Sequence, residues 1–323
     1  MLAKPIEQVK VAKTRAMATE VTIKISSARS ERESASSEAA LRTALEIFHT
    51  VEMACTRFDP ASPLMRANAT PTRWHRVPAV LYKALTEASA AHQRTSGRFD
   101  PRVLQDLIAL GYDRTLAFAT DEIVTPTRAR RQSDGHQRGS WRPRFRGGSQ
   151  EVLLGEPVEL GGIGKGLAVR WSSEALAPHT ANYMVEAGGD CYCAGVASDD
   201  GGWRVGIEDP FESDEPLAVL SLSDRAATTS SIRLRHWRAG HKDVHHLIDP
   251  RTGQPGGEGL VAVTVVGRDP AAAEVDSKVL FLAGRRHIAH AARRHGIAAL
   301  WVDVNGEVES SANMRRYVLW ERS

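Results

Sequence analysis

Residues 159–168 read ELGGIGKGLA, with four glycines and a lysine crowded into six positions ahead of an apolar run. Glycine lets a backbone take positive φ and come close to a ligand. A helix starting there aims unsatisfied N–H groups at an anion, phosphate above all, and Lys165 adds a full positive charge. The spacing is neither GxxxxGK[ST] nor GxGxxG. Taken alone, the segment fits a phosphate site or a tight strand-to-helix turn with a surface lysine. Residues 245–253, HHLIDPRTG, set two histidines and Asp249 within nine positions. An imidazole beside a carboxylate is the arrangement of a general base; the other reading is a turn in which Asp249 caps backbone N–H groups while the histidines pack. Residues 188–190, GGD, present one carboxylate on a glycine turn.

The elements that must position these groups follow from periodicity. Residues 19–25 alternate and read as a strand. Residues 26–37 are mostly polar and read as a loop, and residues 1–16 as a flexible leader. From Ser37, apolar residues at Leu41, Ala44, Leu45, Phe48 and Val51 step by three and four, one helical stripe. A second helix fits residues 78–94, and a third runs from Lys165 to Leu176. Residues 203–210 form a strand stopped by Pro210, and residues 183–195 a strand running into the Gly188-Gly189 turn. Helices fit 271–282 and 285–295. Residues 297–311 form a hairpin whose Asn305-Gly306 suits a tight primed turn. Helices and strands mix without a repeated βαβ beat, so the expected class is α+β.

Composition sets outer limits. The chain has 323 residues, 42% hydrophobic and 25% charged, with a net charge of +3. That is ordinary for a globular protein and does not suit a polyanion binder. Cys55, Cys191 and Cys193 are too few for a disulfide framework and read as reduced thiols in a cytoplasm. Cys191 and Cys193 alone lack the four ligands of a structural zinc site. No run of about 18 apolar residues offers a membrane span, and the charged N-terminus lacks the apolar core of a secretory signal. Residues 126–149 hold seven arginines against Asp134 alone. A nucleic-acid tail is one reading; a solvated loop and hairpin is favoured, because the aromatic platform of a base reader is missing.

In order along the chain, MATEVTI, TRFDPASPLMRAN, TSGRFDPRV, ELGGIGKGLAVR, EAGGD, WRVGIEDP, TTSS and HHLIDPRTGQP resemble the motifs of the FAD:protein FMN transferases of the ApbE type. The resemblance implies a single α+β domain of T-fold-like character over residues 17–323, with mixed antiparallel sheets and packed helices. It implies cleavage of the FAD diphosphate and attachment of FMN, through a phosphoester, to a Thr or Ser hydroxyl of a target flavoprotein. AMP is released and Mg²⁺ assists. Carried over, Met17, Phe58, Arg98, Phe99, Asp100, Glu159, Lys165 and Ile248 would line the FAD site. His246, with Asp249 beside it, would be the base. Gly162, Glu274 and Ser277 would hold the metal. The lack of a lipoprotein-type cysteine implies a cytoplasmic member.

One segment departs from the pattern. The family's metal site closes with Ala-Asp-x-x-x-Thr, and here residues 273–278 read AEVDSK. Glu274 keeps the charge one methylene further out. Lys278 replaces a ligand by an ammonium with no lone pair for a metal. Three outcomes stay open: Lys278 takes over the ion's task, or Mg²⁺ still binds while Lys278 points away, or the protein binds FAD without transferring FMN. The rival readings are therefore a flavin-binding protein that has lost transfer and, more remotely, a nucleic-acid-associated protein.

Overall fold

The strand that residues 19–25 form belongs to an eight-stranded sheet built from segments along the whole chain. The structure, a computed structural model, describes residues 8–27, 31–116, 118, 123–124, 138–197, 201–211, 213 and 215–322. The sheet contains β1 (Gln8–Ala16), β2 (Thr19–Ser27), β3 (Tyr183–Ala187), β4 (Asp190–Ala194), β5 (Arg225–Ser231), β6 (Leu260–Gly267), β7 (Ala298–Asp303) and β8 (Val308–Ser310). Their order across the sheet is their order along the chain, and every neighbouring pair is antiparallel. The α+β expectation is met as a meander with helices inserted at two points. Between β2 and β3 come α1 (Glu31–Cys55), α2 (Pro63–Ala69), α3 (Ala79–Arg94), α4 (Leu104–Ala109) and α5 (Gly164–Leu176). Between β6 and β7 come α6 (Pro270–Ala283) and α7 (Ile288–His295).

Period-two alternation divides the sheet's side chains between two cores. Val21, Ile23, Ile25 and Val185 face the helices and meet Phe48 and Val51 of α1 and Val169 and Leu176 of α5. Val263, Val265 and Trp301 face the same way and meet Leu280, Phe281 and Ile288. Residues of the other parity, among them Met184, Cys191, Cys193, Leu300 and Val302, are covered by a three-stranded antiparallel sheet of Trp203–Ile207, Ala218–Leu222 and Val318–Glu321. Each such side chain, fully buried, stabilises the fold by about 1.5–3 kcal/mol. Among the described residues no helix is long and apolar enough to cross a membrane.

Three expectations need correction. The flexible leader is not loose from Gln8 on, because β1 pairs with β2 along its whole length. Its valines gave no core signal, since Val9 and Val11 lie on the solvent side of an edge strand, each about half exposed. The polar residues before Ser37 are helical from Glu31. The turn at Asn305-Gly306 is not a primed two-residue turn: only Gly306 has positive φ, and Asp303 Oδ1 accepts the N–H groups of Asn305 (2.8 Å) and Glu307 (3.0 Å), so a side chain shapes it. In the arginine-rich segment, residues 125–137 lie outside the described residues. The remainder forms the expected hairpin, with Arg144–Arg146 paired to Glu151–Leu153. Arg138 reaches Asp106 (2.5 Å), and Arg146 stacks on Trp74.

Two tight turns lie side by side at one end of the sheet. Met17 and Ala18 join β1 to β2 with φ of 55° and 59°, and Gly188 and Gly189 join β3 to β4 with φ of 55° and 85°. A Cβ on Gly188 would sit 2.5 Å from Thr19 Oγ1, so the second turn requires glycine. Ala18 occupies a left-handed conformation that costs an L residue about 1–2 kcal/mol. Replacing it with glycine removes that cost and returns part of it as unfolded-state entropy. Ala18→Gly is therefore expected to stabilise the protein by about 0.5–1 kcal/mol, read as a raised urea midpoint at unchanged slope; an unchanged or lowered midpoint would contradict the assignment of strain.

Candidate active site

The glycines of residues 161–166 clear space for other parts of this chain. A Cβ on Gly162 would lie 2.9 Å from Phe99 Cε2 and 3.5 Å from Lys278 Cδ. One on Gly164 would touch Met17 Cε at 3.4 Å. One on Gly166 would lie 2.7 Å from both Ala271 Cα and Pro270 O, where α5 crosses the start of α6. Glu159 turns back on the segment, its Oε2 accepting the N–H of Gly161 at 2.9 Å. The turn thus draws together Met17 from the β1–β2 hairpin, Phe99 from the chain after α3, and Lys278 from α6.

Charge follows the same convergence. Lys165, in the first turn of α5, is ion-paired with Asp190 at the start of β4. Lys278 Nζ lies 3.1 Å from Glu274 Oε1, and Glu274 Oε2 accepts the N–H of Gly166 at 2.8 Å. The remaining Asp190 oxygen takes the N–H of Thr229 at 3.2 Å. Both carboxylates are only 1% exposed, whereas the two lysine side chains are 15% and 16% exposed. Burial favours the neutral form of Glu274, but Lys278, Lys165 and the Gly166 N–H outweigh it and hold this carboxyl below the ordinary glutamate range. Asp190 is pushed up by its own burial, with Lys165 opposing and Glu274 adding to the rise. The outcome is a four-membered, charge-neutral cluster with its carboxylates sealed and its lysine side chains partly exposed.

His246 stands beside this cluster. Its Nδ1 lies 3.3 Å from the carbonyl of Arg235, which assigns the proton to Nδ1 and leaves the lone pair on Nε2. Burial lowers its pKa well below the ordinary imidazole value, and Arg235, Lys278 and His245 lower it further. The ring is therefore neutral and able to accept a proton. The expected pairing with Asp249 does not form. Asp249 instead caps its own turn, accepting from the Arg251 backbone N–H at 2.9 Å and from that guanidinium at 2.7 Å. An arginine two residues on supplies a fixed partner that a histidine three residues back does not reach. His245 packs edge-on against Phe281 and accepts the Leu247 N–H.

On the other side of Glu159, Arg57 carries the next positive charge. Its guanidinium stacks 4.3 Å from the Phe58 ring centroid and 4.1 Å from that of Tyr112. It donates to the Tyr112 carbonyl at 2.5 Å and lies within electrostatic reach of Glu159 and Arg235. Phe58 is 39% exposed above it. Behind Phe99 lies a buried row that fixes its backbone. His92 Nδ1 donates to Phe99 O at 3.0 Å and His92 Nε2 accepts from Trp141 N at 3.0 Å.

Of the residues the resemblance pointed to, Met17, Phe99, Glu159, Gly162, Lys165, Glu274 and His246 converge, with Phe58 joined through Arg57. Asp100 lies one layer back, gripped by Arg102 through both carboxylate oxygens. Ile248 is a core side chain packed with Val103, Tyr112 and Trp237. Arg98 is exposed. Ser277 is fully buried, its hydroxyl shared between Glu274 O (2.9 Å) and Ser230 Oγ (2.7 Å). Arg57 and Arg235 were missed, because an isolated arginine in sequence looks like any surface arginine; only its neighbour Phe58 hinted at Arg57.

This donor set does not fit Mg²⁺, which takes octahedral oxygen ligands. Asp190 and Glu274 are each already neutralised by a lysine, and the Ser277 hydroxyl is spent inside the fold. Among the described residues no group of three His, Cys, Asp or Glu side chains is placed to hold a metal ion.

Comparison with known proteins bears on the whole assembly. A profile of the ApbE family matches residues 17–301. The FAD:protein FMN transferase of Salmonella typhimurium is 29% identical over 154 residues, 46% of this chain and 43% of that protein, so the match spans less than half of that relative. The Chlamydia trachomatis protein of the same name is 28% identical over 244 residues, 72% of each chain. The one from Treponema pallidum is 25% identical over 302 residues, covering 88% of this chain and 83% of its own. The crystal structure of the ApbE protein from Thermotoga maritima superposes with a TM-score of 0.81 at 25% identity, over 98% of this chain and all of that one. Flavin transferase ApbE from Vibrio cholerae shares the fold, with a TM-score of 0.77 at 21% identity. Motif order, profile and fold agree over nearly the full length, and the chain belongs to the ApbE family.

Proposed function

We propose that this protein transfers FMN from FAD to a Thr or Ser hydroxyl of a target flavoprotein and releases AMP. The observation that carries the reading is the juxtaposition of two partly exposed lysines, Lys165 and Lys278, with the neutral imidazole of His246. A diphosphate needs its non-bridging charge neutralised before a nucleophile can approach. A hydroxyl needs a base to take its proton. Both requirements are met by this chain's own side chains within one cluster, in a member of a family whose relatives carry the transferase name.

In this reading the acceptor oxygen forms a bond to the phosphorus of the FMN half. The bridging P–O bond breaks, and its electron pair leaves with AMP. The hydroxyl proton passes to His246 Nε2, the imidazolium charge being relieved as the Arg235 carbonyl accepts from Nδ1. Lys165 and Lys278 stabilise the growing charge on the diphosphate oxygens. Met17, Phe99 and Phe58 supply apolar surface for the rings of FAD, and Glu159 remains fixed by Gly161. The free thiols of Cys55, Cys191 and Cys193 suit a reducing compartment, and the reading sets the reaction in the cytoplasm.

The first test is the intact mass of an acceptor flavoprotein after incubation with the full chain and FAD. An added FMN mass on a Thr or Ser residue is expected; a valid acceptor left unmodified, although FAD is bound, would replace the reading by flavin binding alone. His246→Gln should lower the transfer rate by about 10²–10⁴-fold while FAD affinity stays within about twofold, since a base acts in the transition state rather than in binding. The pH profile gives a third prediction. The pKa of His246 is held well below its ordinary 6.5, so its neutral, proton-accepting form persists as pH falls through that value. The kcat/KM for FAD, which reports the free enzyme, is expected to stay level from pH 8 to 6.5 and to fall only further into acid. An acid limb centred near 6.5 would show that an ordinary solvated histidine, not this one, is the base.

A further inference from the structure

In the cluster of Lys165, Asp190, Glu274 and Lys278 the lysine side chains, not the carboxylates, keep exposed surface. Asp190 and Glu274 are sealed at 1% exposure, each with one oxygen on a lysine and the other on a backbone N–H. A divalent ion entering here meets lysine side chains that are more exposed than either carboxylate. To reach Glu274 Oε1 it must displace Lys278, whose stem already runs beside Gly162 and whose charge also acts on His246. On the same helix turn, the Ser277 hydroxyl is bonded to Ser230 and to Glu274 O, and the Asp276 carboxylate is paired with Arg94 at 2.6 Å. An anion entering here meets the opposite situation. Two lysine side chains are partly exposed, each ammonium keeps donor capacity beyond its one ion pair, and both are held by buried partners.

We propose that Lys278 acts in place of a divalent ion: with Lys165 it binds the diphosphate directly, and the site excludes magnesium. The identity of the diphosphate as that of FAD rests on the transferase reading above; the metal-free anion site does not. The ammonium does the same electrostatic task as an ion, neutralising non-bridging oxygens, and it cannot dissociate. Glu274 is then a positioning residue. One of its oxygens is pinned by Gly166, and the other aims Lys278 from one helical turn away.

The experiment uses the full chain and two probes, Mn²⁺ alone and inorganic pyrophosphate. Electron paramagnetic resonance of Mn²⁺ is expected to show the ion free in the presence of the wild-type protein. Lys278→Thr, which exchanges the ammonium for an oxygen donor beside Glu274, is expected to bind it. Calorimetry is expected to show pyrophosphate binding in EDTA, with no gain when magnesium replaces EDTA. Lys278→Met alone leaves Glu274 buried and unpaired and is exposed to misfolding. The paired variant E274Q/K278M removes both charges and tests the same contact; it should bind pyrophosphate about tenfold to a hundredfold more weakly, the loss expected for one charge-assisted hydrogen bond. Wild-type protein that binds Mn²⁺, or that needs magnesium to bind pyrophosphate, overturns the proposal, as does undiminished affinity in E274Q/K278M. Metal-free pyrophosphate binding that depends on Lys278, in a protein that never modifies an acceptor, upholds it and overturns the transferase reading instead.

Discussion

Two carboxylates buried side by side are the constraint that organises this end of the molecule. An unpaired carboxylate in such a place costs several kcal/mol, so Asp190 and Glu274 must each find a cation and a backbone donor. Those partners come from different elements: Lys165 and Gly166 from α5, Lys278 from α6, Thr229 from β5. Satisfying them fixes how α5, α6 and the sheet sit against one another. The Gly166 N–H can reach Glu274 only if the helices cross at a distance that excludes a Cβ. The last glycine of the motif is thus a consequence of burying Glu274, and the lysine before it a consequence of burying Asp190.

Around that cluster the chain favours strand ends and helix starts over loops. Met17 keeps a positive φ, a strain that persists only where the surroundings over-determine it. Here they do: Glu52 of α1 accepts the Met17 N–H at 2.8 Å, and the Met17 side chain rests on Gly164. Thr229 and Thr264 share a hydrogen bond across β5 and β6, and Ser230 ties β5 to Ser277 of α6. Groups held on such elements keep their geometry more closely than groups on free loops. The loss of a possible ligand in Ser277 is, in the same terms, a gain in the rigidity of α6.

The parts of this arrangement that were legible in sequence are those with a local signature. The stripe of α1, the alternation of β2 and the glycines flanking Lys165 each carry their own period or spacing. β1 did not, because an edge strand with exposed valines has no apolar face toward a core. The resemblance to a family named Met17, Phe99, Lys165 and Glu274, and the structure brings them together. The pairing of His246 with Asp249, which closeness in sequence suggested, does not form, because Asp249 accepts from Arg251. An adjacent Arg251 is a stronger partner for that carboxylate than a neutral imidazole, so the charge pair wins. Arg235 had no signal in sequence and Arg57 only its neighbour Phe58, since their placement comes from long-range contacts with Tyr112 and His246.

Replacing a carboxylate by a backbone carbonyl as the partner of His246 changes what kind of base it is. An Asp partner raises the basicity of an imidazole, whereas a carbonyl orients it with little charge. Here Arg235 and Lys278 depress the ring further, and in the absence of an anion His246 is a weak base. The proposed substrate reverses that field. Two phosphate charges near Lys278 cancel the repulsion that an imidazolium would feel, so the ring gains proton affinity when a diphosphate is in place. The group that holds the anion is also the group that restrains the base, and proton acceptance is coupled to occupancy without any moving part. A metal ion bound ahead of the substrate would add its own repulsion to the same imidazole. The ammonium of Lys278 and the carbonyl partner of His246 are electrostatically consistent: a fixed positive charge in the proposed site requires a base that stays neutral beside it.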